Sequence, residues 1–171
     1  KNQQSDSSVI NVAGRQRMLS QKLTKEIVSI TVYKDEINRV LLKNKIKETL
    51  SLWELSHNSL QKGNDSLGLP AKNSPAIERK FSEINPIFEK IKNASTIIVA
   101  QLEQKPLITV DKLSNHINKV TNNEVDFLVR MDDIVNQYDL EADEKVDWLR
   151  KLELFLMALT LLILLGEFLF I

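Results

Sequence analysis

Cysteine is absent from the 171 residues, which excludes disulfides, thiolate nucleophiles and zinc held by sulfur. Two histidines, His57 and His116, are too sparse a supply for an imidazole metal cage. Only 4 glycines and 4 prolines are present, so there are few places to turn and long helices are expected. Charge of one sign is also lacking: 23 basic residues balance 23 acidic ones, and no net field recommends nucleic acid or an acidic substrate. No glycine-rich phosphate loop, nucleophile elbow or paired-histidine motif occurs. The chain therefore reads as non-enzymatic, without cofactor or metal, any enzymatic output being encoded downstream of Ile171.

What is present fits a folded chain: 43% hydrophobic and 27% charged residues, enough for one domain. The apolar residues are concentrated at one end. Residues 152–171 read LELFLMALTLLILLGEFLFI, with only Glu153 and Glu167 charged. At about 1.5 Å per residue this run spans roughly 30 Å, the hydrocarbon thickness of a bilayer. Trp148, Arg150 and Lys151 stand before it as interfacial anchors. The expected division is a helical domain over residues 1–151 and a transmembrane helix over 152–171. The chain is expected to be a piece of a longer membrane protein, with another membrane helix preceding Lys1.

Along the chain, Val12, Leu19, Leu23, Ile27, Ile30, Ile37 and Leu41 fall within a narrow arc at 100° per residue. They predict one long amphipathic helix over about residues 6–61, ended by the turn-rich KGNDSLGLPAKNSP of residues 62–75. A second helix is predicted from Pro75 with Ser74 as N-cap, kinked or split at Asn85-Pro86. Lys105-Pro106 breaks it, Thr109 caps the next helix, and Asn122-Asn123 mark a local weakness. The last pattern runs without Gly or Pro from Glu124 through Tyr138 and Trp148 into the apolar run. The fold class is all-α: an up-down four-helix bundle with long first and last helices, the last continuing into the membrane.

The first helix carries a second line of residues. Ile10, Gly14, Arg17, Gln21, Thr24, Val28 and Thr31 are spaced alternately 4 and 3 apart, the heptad seam of a helix pair. The line is mostly small or polar and lies roughly opposite the core stripe, so it suggests packing on the same helix of a second copy. Arg17 would then face its own copy across a two-fold axis, and two guanidinium groups repel in a partly dry interface. A small planar oxyanion on the axis would resolve this, with Gly14 leaving room beside the backbone. The plain alternative is that Arg17 reaches water or pairs with a carboxylate.

Residues 10–22 read INVAGRQRMLSQK. This stretch resembles the motif that opens the PilJ-type domain, the N-terminal domain of type IV pilus methyl-accepting chemotaxis transducers. It is also similar to the periplasmic box of the NarX and NarQ family of nitrate and nitrite sensor kinases, which reads Ile-Asn-x-Ala-Gly-x-x-Arg-Met-x-Ser. Ile10, Asn11, Ala13, Gly14, Arg17, Met18 and Ser20 match it position by position, whereas Arg15-Gln16 and Leu19 depart from the kinase pattern. Trp53, Ser56, His57, Leu60 and Gly63 resemble the pattern at the end of the family's first long helix. The run ALTLLILLGEFLFI resembles its second transmembrane helix. The resemblance implies that nitrate sits at the dimer axis, held by Arg17 of both subunits, with Ala13 and Gly14 lining the pocket. Ile10, Asn11 and Gln21 are possible supporting residues.

The remaining polar residues have plainer expectations. Arg15 is expected in a structural salt bridge and His57 in a packed or capping role. Asp132, Asp133, Asp139, Glu141, Asp143 and Glu144 read as a solvated acidic face, and Glu167 as packed between membrane helices. The expected whole is the extracytoplasmic sensor region of a bacterial inner-membrane receptor, a homodimer through helix 1 that binds a small anion. It would pass a helix movement to a cytoplasmic signalling domain in the same full-length chain. A domain that senses a protein partner, and a purely structural dimerisation module, are the competing readings.

Overall fold

A computed structural model describes the backbone of residues 2–170 and the side chains of residues 7–166. Four helices make up the chain: α1 (Asn2–Ser29), α2 (Glu36–Lys62), α3 (Pro75–Gln104) and α4 (Val110–Phe170), with a 3-10 turn at Asp65–Leu67. No strand is present among the described residues, where pairing is limited to an isolated bridge between Asn64 and Leu69. Each helix packs on the two beside it, α1 and α3 both lying between α2 and α4, which is the up-down arrangement expected.

The helices are not divided as the periodicity suggested. The stretch expected as one helix over residues 6–61 is a hairpin of two, α1 and α2, folded back at residues 30–35. No glycine or proline marks this turn. The β-branched run Ile30, Thr31 and Val32 weakens the helix, and the side chain of Asp35 caps the next by accepting from the Asn38 N–H at 2.9 Å. Arg39 then seals the distal end from within the bundle. Its guanidinium is buried and donates to the carbonyls of Tyr33 at 2.8 Å, Ile30 at 3.3 Å and Ile108, which joins the α1–α2 turn to the α3–α4 loop.

The core stripe of α1 accordingly stops at Ile30. Val12, Leu19, Leu23, Ile27 and Ile30 are buried as expected, but Ile37 and Leu41 are exposed, at 75% and 54%. They belong to a separate antiparallel helix whose inward face is set by Leu42, Ile46, Leu50, Trp53 and Leu60. Conversely, α3 runs unbroken through Asn85-Pro86, and α4 runs unbroken through Asn122-Asn123. Ser74 and Pro75 act as expected, with Ser74 Oγ accepting from the Ile77 N–H at 3.2 Å.

At the other end, residues 63–74 cross beneath the bundle. Gly63 (φ +81°) ends α2 in a conformation that only glycine adopts easily, and a Cβ there would meet Ala71 Cα at 2.6 Å. Tyr138 Oη donates to Asn73 Oδ1 at 2.8 Å, so this loop is fastened to α4.

Beyond Lys151, α4 leaves the bundle. Side chains of the apolar run such as Leu154, Phe155 and Met157 are about 60% exposed, so this segment is not a core helix. The described residues contain no helix long and apolar enough to cross a membrane. The side chains at the end of the expected span, residues 167–171 with Glu167 among them, lie outside the described residues.

Candidate functional site

The interior is organised around an aromatic hub. Trp53 packs on Phe88 and Phe127 with ring centroids 4.4 and 4.9 Å apart, and His57 stacks on Phe88 at 3.8 Å and 9°. His57 Nε2 donates to Asn85 Oδ1 at 2.8 Å, while Asn85 and Gln61 exchange amide hydrogen bonds at 3.0 and 3.2 Å. That bond fixes the tautomer and leaves Nδ1 buried without a partner among the described residues. Burial penalises the charged ring and pushes the His57 pKa down to about 4, against the smaller opposing effect of the Asn85 bond. The expectation of a packed histidine holds. The other resemblance positions on α2, Trp53, Ser56 and Leu60, are also buried.

The motif on α1 divides between this interior and the outside. Ala13 is completely buried, so its methyl group faces the core rather than the seam. Gln16 is buried as well, donating from Nε2 to the Trp53 carbonyl at 3.3 Å, while its Oε1 has no partner among the described residues. Spacing alone did not single it out. Its period was the signal available, since it lies four residues after Val12 and three before Leu19 on the core stripe.

The seam residues largely face outward. Asn11, Arg17 and Gln21 are exposed, and Ile10 and Gly14 are half-buried. A Cβ built on Gly14 would meet nothing within 4 Å, so nothing inside the chain requires glycine there. The seam is not continuous, however. Thr24 turns into the core and Thr31 lies beyond the end of α1, whereas Val28 remains exposed. Met18, also exposed, adds to the outer face.

Arg17 makes the ion pair that was its plain alternative. Its Nε lies 2.7 Å from Asp132 Oδ1 on α4, with both side chains nearly half exposed. Asp132 is its sole partner among the described residues, and five guanidinium donors are not exhausted by one carboxylate oxygen. The acidic stretch is therefore not simply solvated. Asp132 pairs with Arg17, and Glu141 accepts hydrogen bonds from Gln137 and Ser74. Arg15 differs from expectation in the opposite sense: it is exposed and has no ion-pair partner among the described residues. On α4, Val125 and Val129 precede Asp132 at helical spacing and are 64% and 58% exposed. Together α1 and α4 form an open face of small, apolar and paired charged residues. No group of metal-ligating side chains occurs among the described residues.

The structure is an antiparallel helical bundle whose first and last helices lie side by side, with Arg17 on their shared outer face. The chain matches the family described as Type IV pili methyl-accepting chemotaxis transducer N-term over residues 1–113, and it belongs to that family. The match includes α3, for which the motifs offered no guide. Among solved structures, the chain is similar to the ligand binding domain of the Pseudomonas aeruginosa nitrate receptor McpN. The TM-score is 0.56 at 20% identity, over 79% of this chain and 96% of that one, a likeness of fold. Comparison with curated proteins gives no match. The chain is thus an N-terminal domain of the methyl-accepting chemotaxis-transducer type.

Proposed function

We propose that this domain works as a dimer packed through α1, with a small oxyanion, nitrate first among candidates, on the two-fold axis between the Arg17 side chains of both copies. The observation that carries the reading is Gly14. A glycine inside a helix costs about 0.5–1 kcal/mol relative to alanine, and the bundle itself leaves its Cβ position empty. Close approach of a second backbone or a bound ion supplies the missing reason. Gly14 and the backbone at Ala13 would line the pocket, with Ile10, Asn11 and Gln21 flanking it. Arg17 would offer its remaining donors to the planar anion. The similarity to a nitrate receptor's ligand binding domain supports the choice of anion.

The domain would sit outside the cytoplasm of a bacterial receptor, on a membrane helix formed by the apolar run of residues 152–171. The run is apolar, and its described side chains, from Leu152 to Leu165, are unpacked in the single chain, a combination unstable in water and natural in lipid. Anion binding would then shift α1 against α4, and α4 would carry the movement to the signalling domain.

The Arg17–Asp132 pair favours a second reading, in which the carboxylate satisfies the arginine and the open face receives a protein partner or only a second copy. Calorimetric titration of the full chain in detergent with nitrate, nitrite, sulfate and chloride separates the two. Heat with nitrate at one ion per two chains, lost in Arg17→Ala, supports the anion reading. No heat with any anion in a dimeric sample puts the partner reading first.

A further inference from the structure

The α1/α4 face is not the sole place where basic groups converge. On the opposite side of α4, two helices present the same spacing to each other. Lys90, Asn93 and Ile97 of α3 stand at i, i+3 and i+7, and His116, Lys119 and Asn123 of α4 repeat it in the antiparallel direction. These residues, with Ala94 beneath them, line a half-open groove of about 500 Å³. Its floor is apolar and its rim carries lysine, imidazole and amide groups. No carboxylate lines it.

The carboxylate next to Lys90 in sequence is engaged elsewhere. Glu89 lies 2.6 Å from Lys92, which also pairs with Glu54 at 3.6 Å. Lys90 and Lys119 have no ion-pair partner among the described residues. His116 adds an Nδ1 that is closed to solvent and lacks a hydrogen-bond partner. Uncompensated positive charge above an apolar floor suits a ligand with both an anionic head and an apolar body. The volume falls in the range of small-molecule sites and is far larger than a bare inorganic oxyanion needs.

We infer that the α3–α4 groove is a second ligand site, for a small organic carboxylate. The head lies between Lys90 and Lys119, and the hydrocarbon part rests on Ala94 and Ile97. This site is distinct from the proposed anion site at Arg17: Asp132 lies on the same helix about 20 Å further along, at 1.5 Å per residue. A ligand bridging α3 and α4 bears on the helix that leaves the bundle, so the two sites would report through one element.

The test is calorimetric titration of the full chain in detergent with benzoate, its uncharged counterpart benzamide, and nitrate. Wild type is compared with Arg17→Ala and with the double variant Lys90→Ala/Lys119→Ala, whose side chains are exposed and not needed by the core. Saturable benzoate binding is expected, weakened at least about tenfold in the double variant and unchanged in Arg17→Ala. Benzamide should bind at least about tenfold more weakly than benzoate. Failure of benzoate to saturate up to on the order of 10 mM would overturn the site. So would binding that survives the double substitution or is matched by benzamide. The nitrate titration is governed by Arg17 and is independent of the lysine pair, so failure of one site is distinguishable from failure of the other.

Discussion

One continuous motif on α1 contributes both to the buried interior around the aromatic hub and to the outer face, yet the two answer to different causes. At the hub, Ala13, Gln16, Trp53 and His57 are buried, and the hub's rings pack on Phe88 and Phe127, all within one chain. On the outer face, Gly14 has space that nothing fills and Arg17 is held by a single exposed carboxylate. The first region is explained by stability. The second weakens the helix, gains little from an exposed ion pair, and makes sense when something outside the chain meets it. A motif that resembles one site is thus two devices, a packing face and a recognition face, offset by about 100° on one helix.

Substitutions should separate the two. The largest effect is expected from Trp53→Ala, which empties the centre of the hub and should cost about 3–5 kcal/mol in denaturant unfolding. Next is acid. With a folded pKa of about 4 against an ordinary value near 6.5, His57 favours folding as the neutral ring. Its contribution is complete above about pH 6.5 and falls away as pH drops toward 4, by about 3 kcal/mol in all. The difference in unfolding free energy between wild type and His57→Gln should therefore shrink across that window. A difference independent of pH would mean that His57 is not buried as described.

On the outer face the signs change. Gly14→Ala should raise the stability of the bundle by about 0.5–1 kcal/mol while weakening nitrate binding, since the methyl group is free of clashes within one chain. Parallel gains in both would remove the reason for placing a second copy or an ion there. The smallest effect is expected from Asp132→Asn. Relieved of an exposed ion pair worth about 0.2–1 kcal/mol, Arg17 should bind nitrate more tightly in calorimetry, by up to about fivefold.

The all-helical class, the capped start of α3 and the inward face of α1 were legible because each rests on local chemistry: a 3.6-residue period, a Ser-Pro cap, a cluster of turn formers. The hairpin at residues 30–35 was not, because its signals are a β-branched run and an aspartate cap rather than glycine or proline. Without it, Ile37 and Leu41 continue the α1 period by coincidence of phase, and only the reversal of the chain exposes them. Of the two outcomes expected at Pro86, the split does not occur, since α3 continues through a missing N–H when both flanks are packed. At the candidate site, Arg17 and Gly14 were visible from spacing, whereas Asp132 was hidden among neighbouring acids. Only the docking of α4 on α1 distinguishes it from them.

The central claim is that two chains share one anion through Arg17. An ion bound on the axis binds the dimer and not the single chain, so it must tighten dimerisation by linkage. The direct measurement is the dimer dissociation constant of the full chain in detergent, by sedimentation equilibrium with and without saturating nitrate. Tightening by nitrate that disappears in Arg17→Ala is the expected result. A dissociation constant that nitrate leaves unchanged would contradict the shared site.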